Sequence, residues 1–174
     1  IIVPGDNLVE KANWCFRNVE SEAMFAGLAF GDGSGIHNQN DRLLRAGWSV
    51  VELSDAKLPA VEFRSAWGPL PSSLQGVPAS ELYALLFWLK HLDPTYERHA
   101  FYSDCSWVVD GWHGVHNARD VWTPHANIWE LVHTIKDDLS SPVRALKTKA
   151  HQTVKAASVS QQLMWEKVGN DLAD

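Results

Sequence analysis

The chain has 174 residues, 45% of them hydrophobic, enough to bury one substantial core and too few to make two ordinary domains probable. Its 15 Lys and Arg against 21 Asp and Glu leave a net charge of -6, opposite in sign to the basic face that phosphate-binding proteins usually carry. A cluster of carboxylates that binds divalent cations can still present a phosphate-seeking surface, so the charge counts against a nucleic-acid partner without excluding one.

No apolar run of about 18 residues occurs, and no basic segment followed by an apolar one opens the chain. Neither a membrane span nor a signal peptide is indicated, and a soluble protein is expected. Cys15 and Cys105 form no Cys-x-x-Cys pair, which argues against a zinc site and for a reducing compartment, cytoplasm or nucleus. Ile1 at the start, and Asp174 at the end of a predicted helix, suggest a piece of a longer polypeptide.

Asp6 to Glu22 is mostly polar with apolar residues at roughly helical spacing, which predicts a short appended helix; residues 1–22 read as an extension or linker and 23–174 as the domain. Phe25 to Phe30 reads as a buried strand ending at an aspartate, because Gly31-Asp32-Gly33-Ser34-Gly35 predicts a turn. Ala46 to Leu53 has the content of a second strand, and Val61 to Trp67 alternates like a half-exposed third. Together they predict an antiparallel meander.

Gly68 to Ser73 breaks the pattern, and Glu81 to Leu92 then carries Leu82, Leu85, Leu86 and Leu89 on one helical stripe. His99 to Ser103 predicts a short strand ending at Asp104, with a helix over Cys105 to Trp112 behind it. A loop rich in His, Gly and Asn leads to a helix near Asn127 to Lys136, then to a last strand over Pro142 to Thr148 and a closing helix. Three strands, helix, strand, two helices, strand, helix is a mixed α/β order rather than a doubly wound sheet.

Asp32 and Asp104 end strands and Glu81 opens a buried helix, so side-by-side strands would bring these acids together. Hard divalent cations take oxygen ligands, and convergent carboxylates could hold two ions roughly 3.5–4 Å apart, one activating water and one stabilising a leaving oxygen. Singly, each acid has another explanation. Asp32-Gly33 is a common turn dipeptide, Glu81 complements a helix dipole, Asp104 could be an N-cap, and Asp174 a solvated acid. None of these explains their arrangement.

The motifs resemble the ribonuclease H family, particularly the domains of retrotransposons and reverse transcriptase polyproteins. Asp32-Gly33-Ser34 followed by Ala46-Gly47-Trp48-Ser49-Val50-Val51 is similar to the family's first hairpin, and Gln75 with Ser80-Glu81-Leu82-Tyr83-Ala84-Leu85 to its first helix. Tyr102-Ser103-Asp104-Cys105-Ser106-Trp107 is similar to the segment carrying the third acid. Lys149-Ala150-His151 and Gly169-Asn170-Asp171-Leu172-Ala173-Asp174 resemble the closing histidine and last acid. The motifs occur in the family's order from about Phe25 to the end.

The resemblance implies a mixed five-stranded sheet, its first three strands antiparallel, flanked by helices. It also implies a metal-dependent endonuclease that hydrolyses the RNA strand of RNA–DNA hybrids to 5′-phosphomonoesters. Two Mg²⁺ or Mn²⁺ ions would be held by Asp32, Glu81, Asp104 and Asp174. His151 would assist proton transfer or product release, and Gly33, Ser34, Gln75 and Asn170 would contact substrate. Neighbouring reverse transcriptase or other polyprotein domains are the implied protein partners.

The stretch from His151 to the Gly-Asn motif is longer than in compact bacterial members, and Asp171 rivals Asp174 as the last ligand. The segment Gly111 to His125, where some members carry a basic protrusion, contains Arg119 but no Lys. Arg144, Lys147, Lys149 and Lys155 form the densest basic stretch, equally a phosphate contact or a solvated face. Trp48, Trp67, Trp88, Trp107 and Trp129 are expected in core or sheet-face packing, whereas Trp112 and Trp122 are the better candidates for touching nucleic acid. The alternatives are a catalytically silent module of this fold with a binding or scaffolding role, or an integrase- or resolvase-type nuclease.

Overall fold

The computed structural model describes residues 12–16, 24–36, 45–53, 62–71, 75–95, 98–116, 120, 123–157 and 160–174. Among the described residues, six strands form one sheet: β1 (Asn13–Phe16), β2 (Leu28–Ile36), β3 (Arg45–Leu53), β4 (Glu62–Pro69), β5 (His99–Ser103) and β6 (Val143–Lys147). The helices are α1 (Val77–Lys90), α2 (Ser106–Trp112), α3 (Ala126–Asp138), α4 (Val154–Ala157) and α5 (Gln161–Ala173). Strand order is β1-β4-β3-β2-β5-β6. Neighbours are antiparallel from β1 to β2, and β2, β5 and β6 are parallel. The expected meander is present.

The sixth strand comes from the segment expected to be helical. In β1, Trp14 and Phe16 alternate with Asn13 and Cys15, the period of a strand with one covered face. Trp14 packs against Phe25 and Phe87 with ring centroids 5.1 and 5.5 Å apart, and the backbone completes the edge of β4. Four residues are too few to distinguish the two periods, and the open edge of β4 decides the outcome. The rest of the expected helix, residues 6–11 and 17–22, lies outside the described residues.

The predicted turn over Gly31 to Gly35 is also corrected, because β2 runs through it and pairs with β3 as far as Ile36↔Arg45. These glycines make room for packing. A Cβ on Gly33 would lie 2.5 Å from the Glu81 backbone nitrogen and from the Ser80 hydroxyl, so only glycine lets α1 sit this close to β2. The chain break falls earlier, at Gly27 (φ 127°), which leaves Phe25 making a single parallel bridge to Leu92.

The core lies in two layers. Trp48, Val50, Leu82, Leu85, Phe87, Trp88, Phe101 and Trp129 pack α1 and α3 against one face of the sheet. Phe30, Val51, Tyr102 and Trp165 pack α5 against the other. Helix α1 begins at Val77, four residues ahead of the predicted start, and Pro78 beside its N-terminus suits the first turn. Trp112, expected to touch nucleic acid, instead closes α2 at 3% exposure with the Lys136 ammonium 4.2 Å from its ring centre, whereas Trp67 is 45% exposed on the sheet. Trp122 and Arg119 lie outside the described residues. No helix among the described residues is long and apolar enough to cross a membrane.

Candidate metal centre

Parallel pairing between β2 and β5 ends at Phe30↔Tyr102, but β2 continues six residues further, to Ile36. Continued by two residues, that register would bring Asp32 abreast of Asp104, which follows β5 directly. Asp32 is therefore a mid-strand residue, paired on its other side with Ser49, and not part of a turn. The aspartate occupies a strand edge that β5 leaves open.

Glu81 enters this gap from α1. It is the fifth residue of the helix, past the first turn, so complementing the dipole does not account for it. Only 6% of its surface is exposed, and its carboxyl meets the Asp32 carboxyl and the Gly33 backbone. Asp104 is not the cap of α2 either. That position belongs to Cys105, whose backbone N–H donates to the Ser103 hydroxyl at 3.0 Å, leaving the Asp104 side chain to face the gap. The carboxylate oxygens of Asp32, Glu81 and Asp104 lie within 4.8 Å of one another.

This crowding shows in their protonation. Burial pushes the Asp32 carboxyl up to about 6, and the charges of Asp104 and Asp174 add to the rise. Burial first, then Asp32 and Asp104, pushes Glu81 up to about 9. One Glu81 oxygen, Oε2, is buried with no hydrogen-bond partner among the described residues. A buried, unpartnered carboxylate oxygen between two further carboxylates is a costly arrangement for protein alone and a fitting one for a hard divalent cation. The residues present thus fit the metal that the sequence led us to expect.

Helix α5 brings the remaining candidates. Asn170 is 4% exposed and its Nδ2 donates to Asp104 Oδ2 at 3.4 Å. Asp174 caps the helix end, exposed, outside the three-carboxylate group but close enough for its charge to act on Asp32. Its rival Asp171 is paired with Lys167 one turn back. The Ser49 hydroxyl donates to the Ala173 carbonyl, tying the last turn of α5 to the strand that flanks Asp32. This contact was not legible in sequence, because Ser49 becomes Asp32's neighbour only through the β2–β3 register.

Other candidates lie elsewhere. His151 is exposed, in left-handed backbone (φ 46°), in the turn after β6, and makes no hydrogen bond to these carboxylates among the described residues. Both ends of the Gln75 amide are engaged within the protein: Oε1 accepts from the Ala46 N–H at 2.8 Å, and Nε2 donates to the Leu70 carbonyl at 3.1 Å. Gly33 lies beneath α1. Ser34 lines a groove of about 480 Å³ beside Asp32, with Ser49, Ser65, Trp67, Ala173 and Asp174. From the basic stretch, Lys147 donates to the backbone carbonyl of Asp104.

No protein-family model matches the chain, and no curated protein matches it by sequence. Solved structures do match in fold. The prototype foamy virus protease–reverse transcriptase aligns at TM-score 0.63 and 15% identity, over 89% of this chain but 21% of that one, so the chain spans about a fifth of that protein. The separate RNase H domain from the same virus aligns at TM-score 0.54 and 15% identity over 87% of this chain and 98% of that one. LC11-RNase H1, solved in complex with an RNA/DNA hybrid, aligns at TM-score 0.53 and 16% identity over 75% and 91%. With its antiparallel strands, parallel extension and helices on both faces, the chain has the RNase H-like fold.

Proposed function

We propose that the chain is a metal-dependent ribonuclease H, an endonuclease that hydrolyses the RNA strand of RNA–DNA hybrids and leaves 5′-phosphomonoesters. The observation that carries this reading is the trio Asp32, Glu81 and Asp104, delivered by three separate elements to within 4.8 Å, with one Glu81 oxygen buried and unpartnered. A cluster this costly in isolation has a chemical use if cations fill it.

Asp32, Glu81 and Asp104, with Asp174 from α5, would hold two Mg²⁺ or Mn²⁺ ions. Bound there, the ions would activate a water and stabilise the leaving oxygen of a phosphodiester. The chain's own part is to fix the carboxylates: Asp32 by strand pairing, Glu81 by the close approach of α1 over Gly33, Asp104 by the turn that ends β5. His151, on an exposed turn, would move a proton or assist product release. Of the residues expected to contact substrate, Ser34 lines the groove beside Asp32 and would be the nearest, whereas Gly33 lies beneath α1 and Asn170 is buried; Gln75 would act mainly by bracing β3 against β4.

Alignment of 89% of the chain with a fifth of a protease–reverse transcriptase supports a role as one domain of a polyprotein. Residues 23–174 would form that domain, with β1 added from the preceding segment. Cys15 and Cys105, both free, suit a reducing compartment, cytoplasm or nucleus.

The test incubates labelled RNA–DNA hybrid with Mg²⁺ and either wild type or Asp104→Asn, beside a single-stranded RNA control. Cleavage of the hybrid by wild type, with a loss of at least about 100-fold in the variant, is expected. Equal inactivity of folded wild type and variant with metal present would overturn the reading in favour of a silent module.

A further inference from the structure

We infer that Asn170 is a positioning residue: its buried amide, brought from α5, orients the Asp104 carboxylate for metal binding. This rests on the metal site proposed above and assigns Asn170 a role other than touching substrate.

The argument starts from how α5 is held. Trp165 is fully buried against Phe30 and Tyr102, with ring centroids 4.9 and 5.2 Å apart. A Cβ on Gly169 would lie 2.2 Å from the Phe30 ring, so this turn of the helix can approach the sheet only as glycine. The next residue is Asn170. The Ser49–Ala173 bond then fixes the turn that follows, so the amide is anchored from both sides.

Asn170 Nδ2 meets Asp104 Oδ2 at 3.4 Å, and an amide buried to 4% exposure needs such a partner. The bond engages one Asp104 oxygen and leaves Oδ1 for an ion. A neutral donor suits this place better than Lys or Arg, whose charge would offset the negative field that draws a cation in. Groups that hydrogen-bond a metal-ligating carboxylate hold its orientation, and their loss typically costs about 10–100-fold in metal affinity. The Gly169-Asn170 pair therefore has two separate tasks: glycine admits the helix, and asparagine uses the proximity.

The test titrates Mn²⁺ calorimetrically into wild type, Asn170→Leu and Asn170→Ala, with melting of each followed in EDTA. Leucine keeps the branched shape and fills the buried site while removing the amide's donor and acceptor, so a purely structural role would leave its metal affinity intact. About a ten-fold or greater loss of Mn²⁺ affinity is expected in both variants, with Asn170→Leu melting close to wild type. In hybrid cleavage, the Mn²⁺ needed for half-maximal rate should rise while the rate at saturating Mn²⁺ stays within about three-fold. A folded variant of either kind that binds Mn²⁺ as wild type does overturns the role of Asn170. Wild type that takes up no Mn²⁺ overturns the metal site as well, which separates the two failures.

Discussion

Asp32 and Glu81 share a site that, without metal, favours their protonated forms. Both are protonated more readily in the folded chain than in the unfolded one. The stability they contribute is therefore present below their unfolded values, near 3.8 and 4.5, and is lost as pH rises through about 6 and about 9. Melting temperature in EDTA should fall between about pH 5 and 9, and Mn²⁺ should restore it most at the alkaline end, where the ligands are ionised. Glu81→Gln should raise the EDTA melting temperature at about pH 8 by some 2–4 °C for each kcal/mol recovered. A flat EDTA profile would mean that the carboxylates are not crowded as described.

At this scale the local explanations that each acid admits singly, a turn and a cap, do not hold in the fold. Asp32-Gly33 has turn composition, yet glycine here serves the approach of α1 and not a reversal of the chain. That distinction depends on Glu81 and Ser80, some 50 positions away in the sequence. Asp104 has cap composition, yet Cys105 occupies the cap. Turn and cap preferences describe isolated segments, and a neighbouring element can put the same residue to another use.

The site is assembled by elements rather than by a contiguous motif. Helix α1 supplies Glu81 only because Gly33 lets it rest on β2. Gly33→Ala should therefore cost about 1–3 kcal/mol of stability by overpacking and, by levering Glu81 from Asp32, weaken Mn²⁺ binding too. Chemical denaturation and calorimetry on the same protein read the two effects; a stable variant with unaltered Mn²⁺ affinity would show that α1 does not set the carboxylate spacing.

Helix α5 depends on Trp165 in the same way. Trp165→Ala should cost about 3–5 kcal/mol and, where the protein still folds, expose the amides of α5 to exchange ahead of α1. Uniform protection across both helices would contradict an independently docked α5. The aromatic residue was visible in sequence, but its partners Phe30 and Tyr102 belong to two strands whose adjacency is a matter of topology.

For the whole molecule, the charge of -6 sets what to expect of substrate binding. Few phosphates can be neutralised by side chains alone, so hybrid affinity should be weak in EDTA. It should depend only shallowly on monovalent salt and rise on adding Ca²⁺, which can fill an oxygen site. Fluorescence anisotropy over a salt series, with and without Ca²⁺, measures this; tight, steeply salt-dependent binding in EDTA would point to a basic surface instead.

Sequence by itself determined the mixed α/β order, the meander of β2, β3 and β4, the buried character of α1, and the acids worth watching. Those features follow from periodicity and composition, which act over a few neighbouring residues and survive in any fold the chain adopts. Tertiary structure alone decided that residues 13–16 add a strand and that the glycines of β2 are packing sites. It also decided that Trp112 is core and that Asn170 reaches Asp104 across 66 positions of chain. Each of those depends on which surfaces meet, and contact between distant segments is set by topology and close packing, which no local pattern encodes.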